Sequence, residues 1–222
     1  PTGNVLKLII EGLFTTLTNV SFNEQTLNEL IEKVRTERER LVPQCFACAS
    51  PCGTNNEYDL SHIWTDNEDI RSLKSLILFG IRGMAAYAYH AMVLGYTNDE
   101  VSHFFVKALF ALGEDWEMDK LLPIVMELGK VNLVCMEMLD KANTETYGIP
   151  TPTTIDLKVE KGPFIIISGH DLLDLKLLLE QTKDKNINIY THGEMLPAHG
   201  YPELKKYRHL KGNFGTAWQN QQ

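Results

Sequence analysis

Apolar positions recur every three to four residues through the first two-thirds of the chain. Leu6, Ile9, Ile10, Leu13 and Leu17 mark one stripe, and Leu27, Leu30, Ile31 and Val34 a second. Ile70, Leu73, Ile77, Ile81, Met84, Ala88 and Ala91 trace a long third, followed by Val101, Phe104, Phe105, Ala108, Leu109 and Leu112. A last run extends from Leu121 to Ala142, with Gly129 as a place to kink. That period puts the apolar side chains on one face of a helix, so each run predicts an amphipathic helix. Ser21, Thr65 and Thr97 each stand three residues before a glutamate (Glu24, Glu68, Glu100), the capping-box spacing that starts a helix. Gly80 and Gly83 on the third helix permit close approach of a neighbour, at some cost in helix propensity.

The helices repeat. "GLF" at Gly12 to Phe14 and "ALF" at Ala108 to Phe110 sit on comparable helices, each followed by another amphipathic run. This predicts a duplicated three-helix unit, complete from Asp69 to Ala142 and lacking its first helix in the earlier copy. The chain opens at Pro1 rather than Met and closes on "TAWQNQQ" before a sheet is complete, so it reads as an internal segment of something longer.

Between Asn143 and Gly162 the helical period disappears and Pro150 and Pro152 appear, which marks a domain boundary. Residues 1–147 read as a helical domain and residues 148–222 as the start of an α/β domain. The fold class is therefore mixed and mainly α: tandem three-helix bundles, the first incomplete, then the start of a Rossmann-like parallel α/β domain. Phe164 to Ile167 is continuously apolar, as in a strand covered on both faces. A helix of about three turns separates it from a second strand ending near Tyr190. Strands so joined should run parallel, with a right-handed crossover.

Both strands stop at a metal-capable side chain: Ser168-Gly169-His170, then Thr191-His192-Gly193-Glu194. In a parallel unit His170 and Glu194 emerge at the same edge, the carboxyl edge where open α/β sheets bind ligands. The alternative is that these are ordinary strand-to-helix residues, since Asp171 serves equally well as a cap and Glu194 as a solvated carboxylate. His192 lies on the same side as Glu194 if the strand continues. Cys45, Cys48 and Cys52 form a CxxCxxxC run that can supply three corners of an iron–sulfur or zinc site, or stand as free thiols in a reduced loop. His90 reads as a partly buried core histidine, "EKVRTERERL" as a solvated helix face, and Met126, Met136 and Met138 as core packing.

The bulk properties narrow the partners. At 222 residues, 44% hydrophobic and 23% charged, the composition is that of a soluble globular protein. A net charge of −8 argues against nucleic acid or an anionic membrane as partner, because both attract basic surfaces. The most apolar run, "LILFGIRGMAAYA", is interrupted by Arg82 and two glycines, so no membrane span is expected. No signal-peptide pattern is present and the four cysteines make no disulfide scaffold, which places the expectation in the cytoplasm.

Several separated segments carry a resemblance. "DNEDIRSLKSLILFGIRGMAAYAYHAMVLG", "ANTETYG", "ISGHDL", "YTHGEMLPA" and "GNFGTAW", taken in order, resemble the hybrid cluster protein family, also called prismane proteins or hydroxylamine reductases. The resemblance implies an iron–sulfur oxidoreductase that reduces hydroxylamine to ammonia and water, with nitric oxide as another substrate proposed for the family. It implies a hybrid iron–sulfur–oxygen cluster held by one His, two Glu and four Cys, a second iron–sulfur cluster, and a redox partner protein. Within "SGHDL" His170 resembles the histidine ligand, and within "THGEML" Glu194 resembles the first glutamate ligand. Cys45, Cys48 and Cys52 do not fall at the family's cluster positions, and its N-terminal cysteine motif is absent. With two of seven hybrid-cluster ligands present, neither cluster is expected to assemble in a chain of this length. The other readings are a carbon monoxide dehydrogenase-like metalloenzyme and a non-catalytic helical interaction module.

Overall fold

The computed structural model describes residues 3–17, 21–41 and 60–215. The chain divides into two compact units, Pro1–Leu139 and Asp140–Gln222, and the division falls inside one long helix. The cysteine run at Cys45, Cys48 and Cys52 lies outside the described residues.

The first unit is helical: α1 (Gly3–Thr15), α2 (Glu24–Leu41), the short α3 (Ser61–Thr65), α4 (Glu68–Val93), α5 (Asp99–Gly113) and most of α6 (Met118–Tyr147). Its core is the set of stripes the period marks. Ile70, Ile77, Ile81, Met84 and Ala88 of α4 pack with Phe104, Phe105 and Ala108 of α5. Leu121, Ile124, Leu128 and Val131 of α6 and Ile10 of α1 complete the cluster. At Gly80 a Cβ would stand 2.3 Å from Leu128 Cδ2, so the bare backbone lets α6 approach, whereas a Cβ at Gly83 would meet nothing within 4 Å. α6 continues as helix through Gly129. By length and apolar composition α4 is the one described helix able to cross a membrane, yet its stripe is the core of this unit. His90 is half-buried against the rings of Phe14 and Tyr89.

Three expectations change here. The capping hydroxyls are not the caps. Asn67 Oδ1 accepts from Ile70 N at 3.0 Å, Asn98 Oδ1 from Val101 N at 3.1 Å and Asn23 Oδ1 from Thr26 N at 3.2 Å. Each helix begins one or two residues later than Thr65, Thr97 or Ser21 would start it, because an asparagine nearer the first apolar position does the same work. The α2 stripe is not buried: Ile31 and Val34 are 47% and 43% exposed, since α2 packs on α1 alone among the larger helix contacts. Its charged face pairs with itself, as in Arg35–Glu32 at 2.6 Å and Arg40–Glu37 at 2.7 Å. Met126 and Met136 face solvent, and only Met138 packs against the core.

The second unit carries a three-stranded sheet. β1 (Phe164–Ser168), α7 (Leu172–Thr182), β2 (Asn188–His192), a 3₁₀ stretch (Gly193–Gly200), α8 (Pro202–Lys205) and β3 (Leu210–Phe214) follow in order. The strands lie side by side as β1-β2-β3, all parallel. Leu175 and Leu179 of α7 and Ile189 and Tyr190 of β2 are buried. The apolar β1 is not covered on both faces: Phe164, Ile165 and Ile166 are 47%, 36% and 38% exposed. Among the described residues it stands at the outside of the sheet, paired along one edge only. On the far side, residue 156 bridges to β3, and a Cβ on Gly212 would lie 2.0 Å from the Asp156 carbonyl oxygen.

Candidate metal centre

The register of β1 on β2 places the two strand ends together. Phe164 pairs with Asn188 and the ladder runs without a slip to Ser168 opposite His192. Each strand then turns through a glycine with positive φ, Gly169 at 125° and Gly193 at 55°. A side-chain-bearing residue is strained in that region, whereas glycine is not. One residue further on stand His170 and Glu194, so two positions 24 apart in sequence become neighbours. His170 Nε2 lies 3.9 Å from Glu194 Oε2, and the two side chains are 69% and 56% exposed.

The surrounding contacts separate this pair from ordinary capping. The cap of α7 is Asp171, whose Oδ1 accepts from Leu173 N at 2.7 Å and Asp174 N at 3.2 Å. His170 is not needed for that purpose. His192 turns to Ser168, with Nδ1 and Oγ 2.9 Å apart, which cross-links the last paired positions of β1 and β2. Behind the edge sits a buried polar group that the sequence reading did not single out. Thr191 Oγ1 donates to Asn213 Oδ1 at 3.0 Å and lies 2.8 Å from His199 Nε2. Burial pulls the His199 pKa below its ordinary 6.5, against the opposing effect of a hydrogen bond to the Gly212 backbone. The signal available was the repeat of His-Gly in "THGEMLPAHG", Thr191 to Gly200. Tyr147 is also buried, its hydroxyl without a hydrogen-bond partner among the described residues, and burial together with Asp171 pushes its pKa up to about 12.

Imidazole and carboxylate are harder donors than thiolate and suit oxygen-bridged iron, and here both stand open to solvent with a donor atom of each 3.9 Å apart. They fit as part of an iron site. They do not make a closed one: among the described residues no three His, Cys, Asp or Glu side chains gather closely enough to hold a metal ion. Cys135, in the helical unit, is no candidate; it is fully buried and burial pushes its thiol up to about 12.

The chain is 44% identical over its whole length to a hydroxylamine reductase of Thermodesulfovibrio yellowstonii and 46% identical over 95% of its length to that of Solidesulfovibrio magneticus. It is 44% identical over 96% of its length to the hydroxylamine reductase of Methanocaldococcus jannaschii. The matches cover 44%, 42% and 42% of those proteins, so the chain spans less than half the length of the curated relatives it matches. The model of the Prismane/CO dehydrogenase family matches residues 2–222, and the chain belongs to that family.

Proposed function

We propose that this chain forms part of an iron–sulfur oxidoreductase that reduces hydroxylamine to ammonia and water, with His170 and Glu194 as two ligands of a hybrid iron–sulfur–oxygen cluster. The single observation that carries the reading is the parallel register, which sets these two donors 3.9 Å apart at the carboxyl edge of the sheet. The relatives' name, hydroxylamine reductase, supports the substrate. Nitric oxide is a second substrate in this reading, by a reaction of its own, and a carbon monoxide dehydrogenase-like activity is less favoured, because the relatives compared carry the reductase name.

The reaction consumes two electrons and two protons per hydroxylamine, breaking the N–O bond to leave ammonia and water. His170 and Glu194 would hold the hybrid cluster, which when bound would supply the redox-active iron for the reduction, with the electrons coming from a redox partner protein. The chain's own part is placement. β1 and β2 fix where His170 and Glu194 stand, Asp171 holds the start of α7, and the Ser168–His192 contact ties the two strand ends together. Residues from 148 onward act as the cluster-binding domain in this reading, and Cys45, Cys48 and Cys52 are not ligands of the hybrid cluster.

The test uses the full-length, cluster-loaded protein. His170→Ala and Glu194→Ala should each disrupt the hybrid-cluster EPR signal and lower hydroxylamine reduction by more than the roughly 10–100-fold that loss of a mere outer-shell partner of a metal ligand costs. Changing Cys45, Cys48 and Cys52 to Ser should leave that signal in place. Full iron content and unchanged turnover in both the His170 and Glu194 variants would sink the ligand assignment.

A further inference from the structure

Glu194 stands on an unusual support. It lies in a 3₁₀ stretch of eight residues, Gly193–Gly200. Such helices rarely exceed three or four residues because their hydrogen bonds are poorly aligned, so one this long is held from outside itself. The hold is identifiable. Met195, Ala198 and His199 are buried at 2%, 0% and 5% exposure, while Glu194 and Leu196 remain outside. His199 reaches back to Thr191 of β2 at 2.8 Å, and Thr191 reaches across to Asn213 of β3 at 3.0 Å. Thr191 is fully buried and Asn213 is 6% exposed, so side chains from β2, the 3₁₀ stretch and β3 meet out of water. Buried polar groups that are fully paired fix a local geometry tightly, because every displaced alternative leaves one of them unsatisfied.

We propose that the Thr191–His199–Asn213 network sets the position of the Glu194 carboxylate, which makes these three positioning residues for the iron site. The inference rests on the reading of Glu194 as a ligand. The network fastens the far end of the 3₁₀ stretch to β2 and β3, while Gly193 fastens its near end to the last residue of β2. Glu194 is thereby held between two fixed points, close to His170, which is borne by the end of β1.

The same unit contains a matched control. Thr182 and His209 form another hydroxyl–imidazole contact, with Oγ1 and Nε2 3.1 Å apart, joining the end of α7 to the residue before β3. It pairs the same two groups, with Thr182 buried and His209 half-buried, and lies on neither β2 nor the 3₁₀ stretch that bears Glu194.

In the cluster-loaded full-length protein, iron content and the EPR signature of the hybrid cluster would be compared across Thr191→Val, Thr191→Ser, His199→Gln and Thr182→Val, with Glu194→Gln as reference. Thr191→Val and His199→Gln should lower iron per protein at least twofold and change the EPR g-values, and Thr191→Ser should restore both. Thr182→Val, chosen to lose a comparable amount of thermal stability, should leave iron and spectrum as in the wild type. If Thr191→Val does not fold, His199→Gln carries the same readout. Loss of iron in Glu194→Gln with none in folded Thr191→Val and His199→Gln would overturn the positioning role and leave the ligand reading standing. Equal loss in Thr182→Val would also overturn it, since a general weakening of the unit would then suffice. Wild-type iron and spectrum in Glu194→Gln would instead remove the ligand reading, and the positioning role with it.

Discussion

The helical unit and the α/β unit solve different problems with the same amino acids. In the first, side chains close in sequence cooperate. Residues three and four apart form a stripe, and stripes from α1, α4, α5 and α6 close on one another around Phe105 and Ile77. In the second, the residues that matter to one another are 8, 22 and 24 apart and meet only because strands run parallel in register. The first arrangement stores stability and leaves little free to react. The second spends its polar side chains at a sheet edge, where His170 and Glu194 stand in water and contribute little to holding the fold. In the proposed reading, changes at this edge reach the chemistry directly, whereas changes in the helical core reach it only through stability.

That contrast can be broken by measurement, beginning with the core. Phe105→Ala removes a fully buried ring at 0% exposure and should cost about 3–5 kcal/mol in denaturant unfolding. A loss below about 1 kcal/mol would show that α4, α5 and α6 do not share a close-packed centre. Next come the two glycines of α4. Gly83→Ala should raise stability by about 0.5–1 kcal/mol, because helix propensity improves and nothing lies within 4 Å of the new methyl. Gly80→Ala gains the same propensity but drives a methyl onto Leu128 and should lower stability by about 1–2 kcal/mol. Opposite signs three residues apart would locate the α4–α6 contact; equal signs would displace it.

The third test concerns pH. His199 is depressed below its unfolded value of 6.5, so the folded unit prefers the neutral ring while the unfolded chain takes up the proton first. Its stabilising contribution is complete above pH 6.5 and is lost as pH falls toward the folded pKa. The slope cannot exceed about 1.4 kcal/mol per pH unit for one proton. Melting temperature followed from pH 7.5 downward should show the decline, and His199→Gln should flatten it. Smallest of all is the pair at the edge. His170→Ala and Glu194→Ala in the metal-free chain should each change stability by no more than about 0.5 kcal/mol, as exposed side chains do. A larger loss would mean the pair is structural after all.

How much of this was legible beforehand follows the same division. The α4 and α5 stripes are read correctly because their period and their burial coincide. The α2 stripe has the same period and is exposed, since periodicity marks a face without saying what lies against it. The caps were misplaced because Thr65 and Asn67, or Thr97 and Asn98, are nearly equivalent cap formers, and only the position of the first buried residue separates them. In the α/β unit the His170–Glu194 juxtaposition is legible, because a βαβ unit fixes which strand ends share an edge. His199 is not, because its partner Asn213 lies on a strand whose neighbour and register nothing local specifies. The covering of β1 is misread for a related reason: an apolar run fits a buried central strand and an outer strand equally.

The ladder from Phe164–Asn188 to Ser168–His192 also decides where the chain tolerates changes of length. The exposed turn at Lys183, Asp184, Lys185 and Asn186 lies between α7 and β2, outside the ladder. A peptide tag or reporter inserted there lengthens a surface loop, whose closure entropy grows only logarithmically, and the pair stays where it is. A single residue inserted within Asn188–His192 shifts the register by one and sends alternate side chains to the opposite face. The spacing of 24 residues is thus incidental, and the five paired rungs are what an engineer must leave untouched.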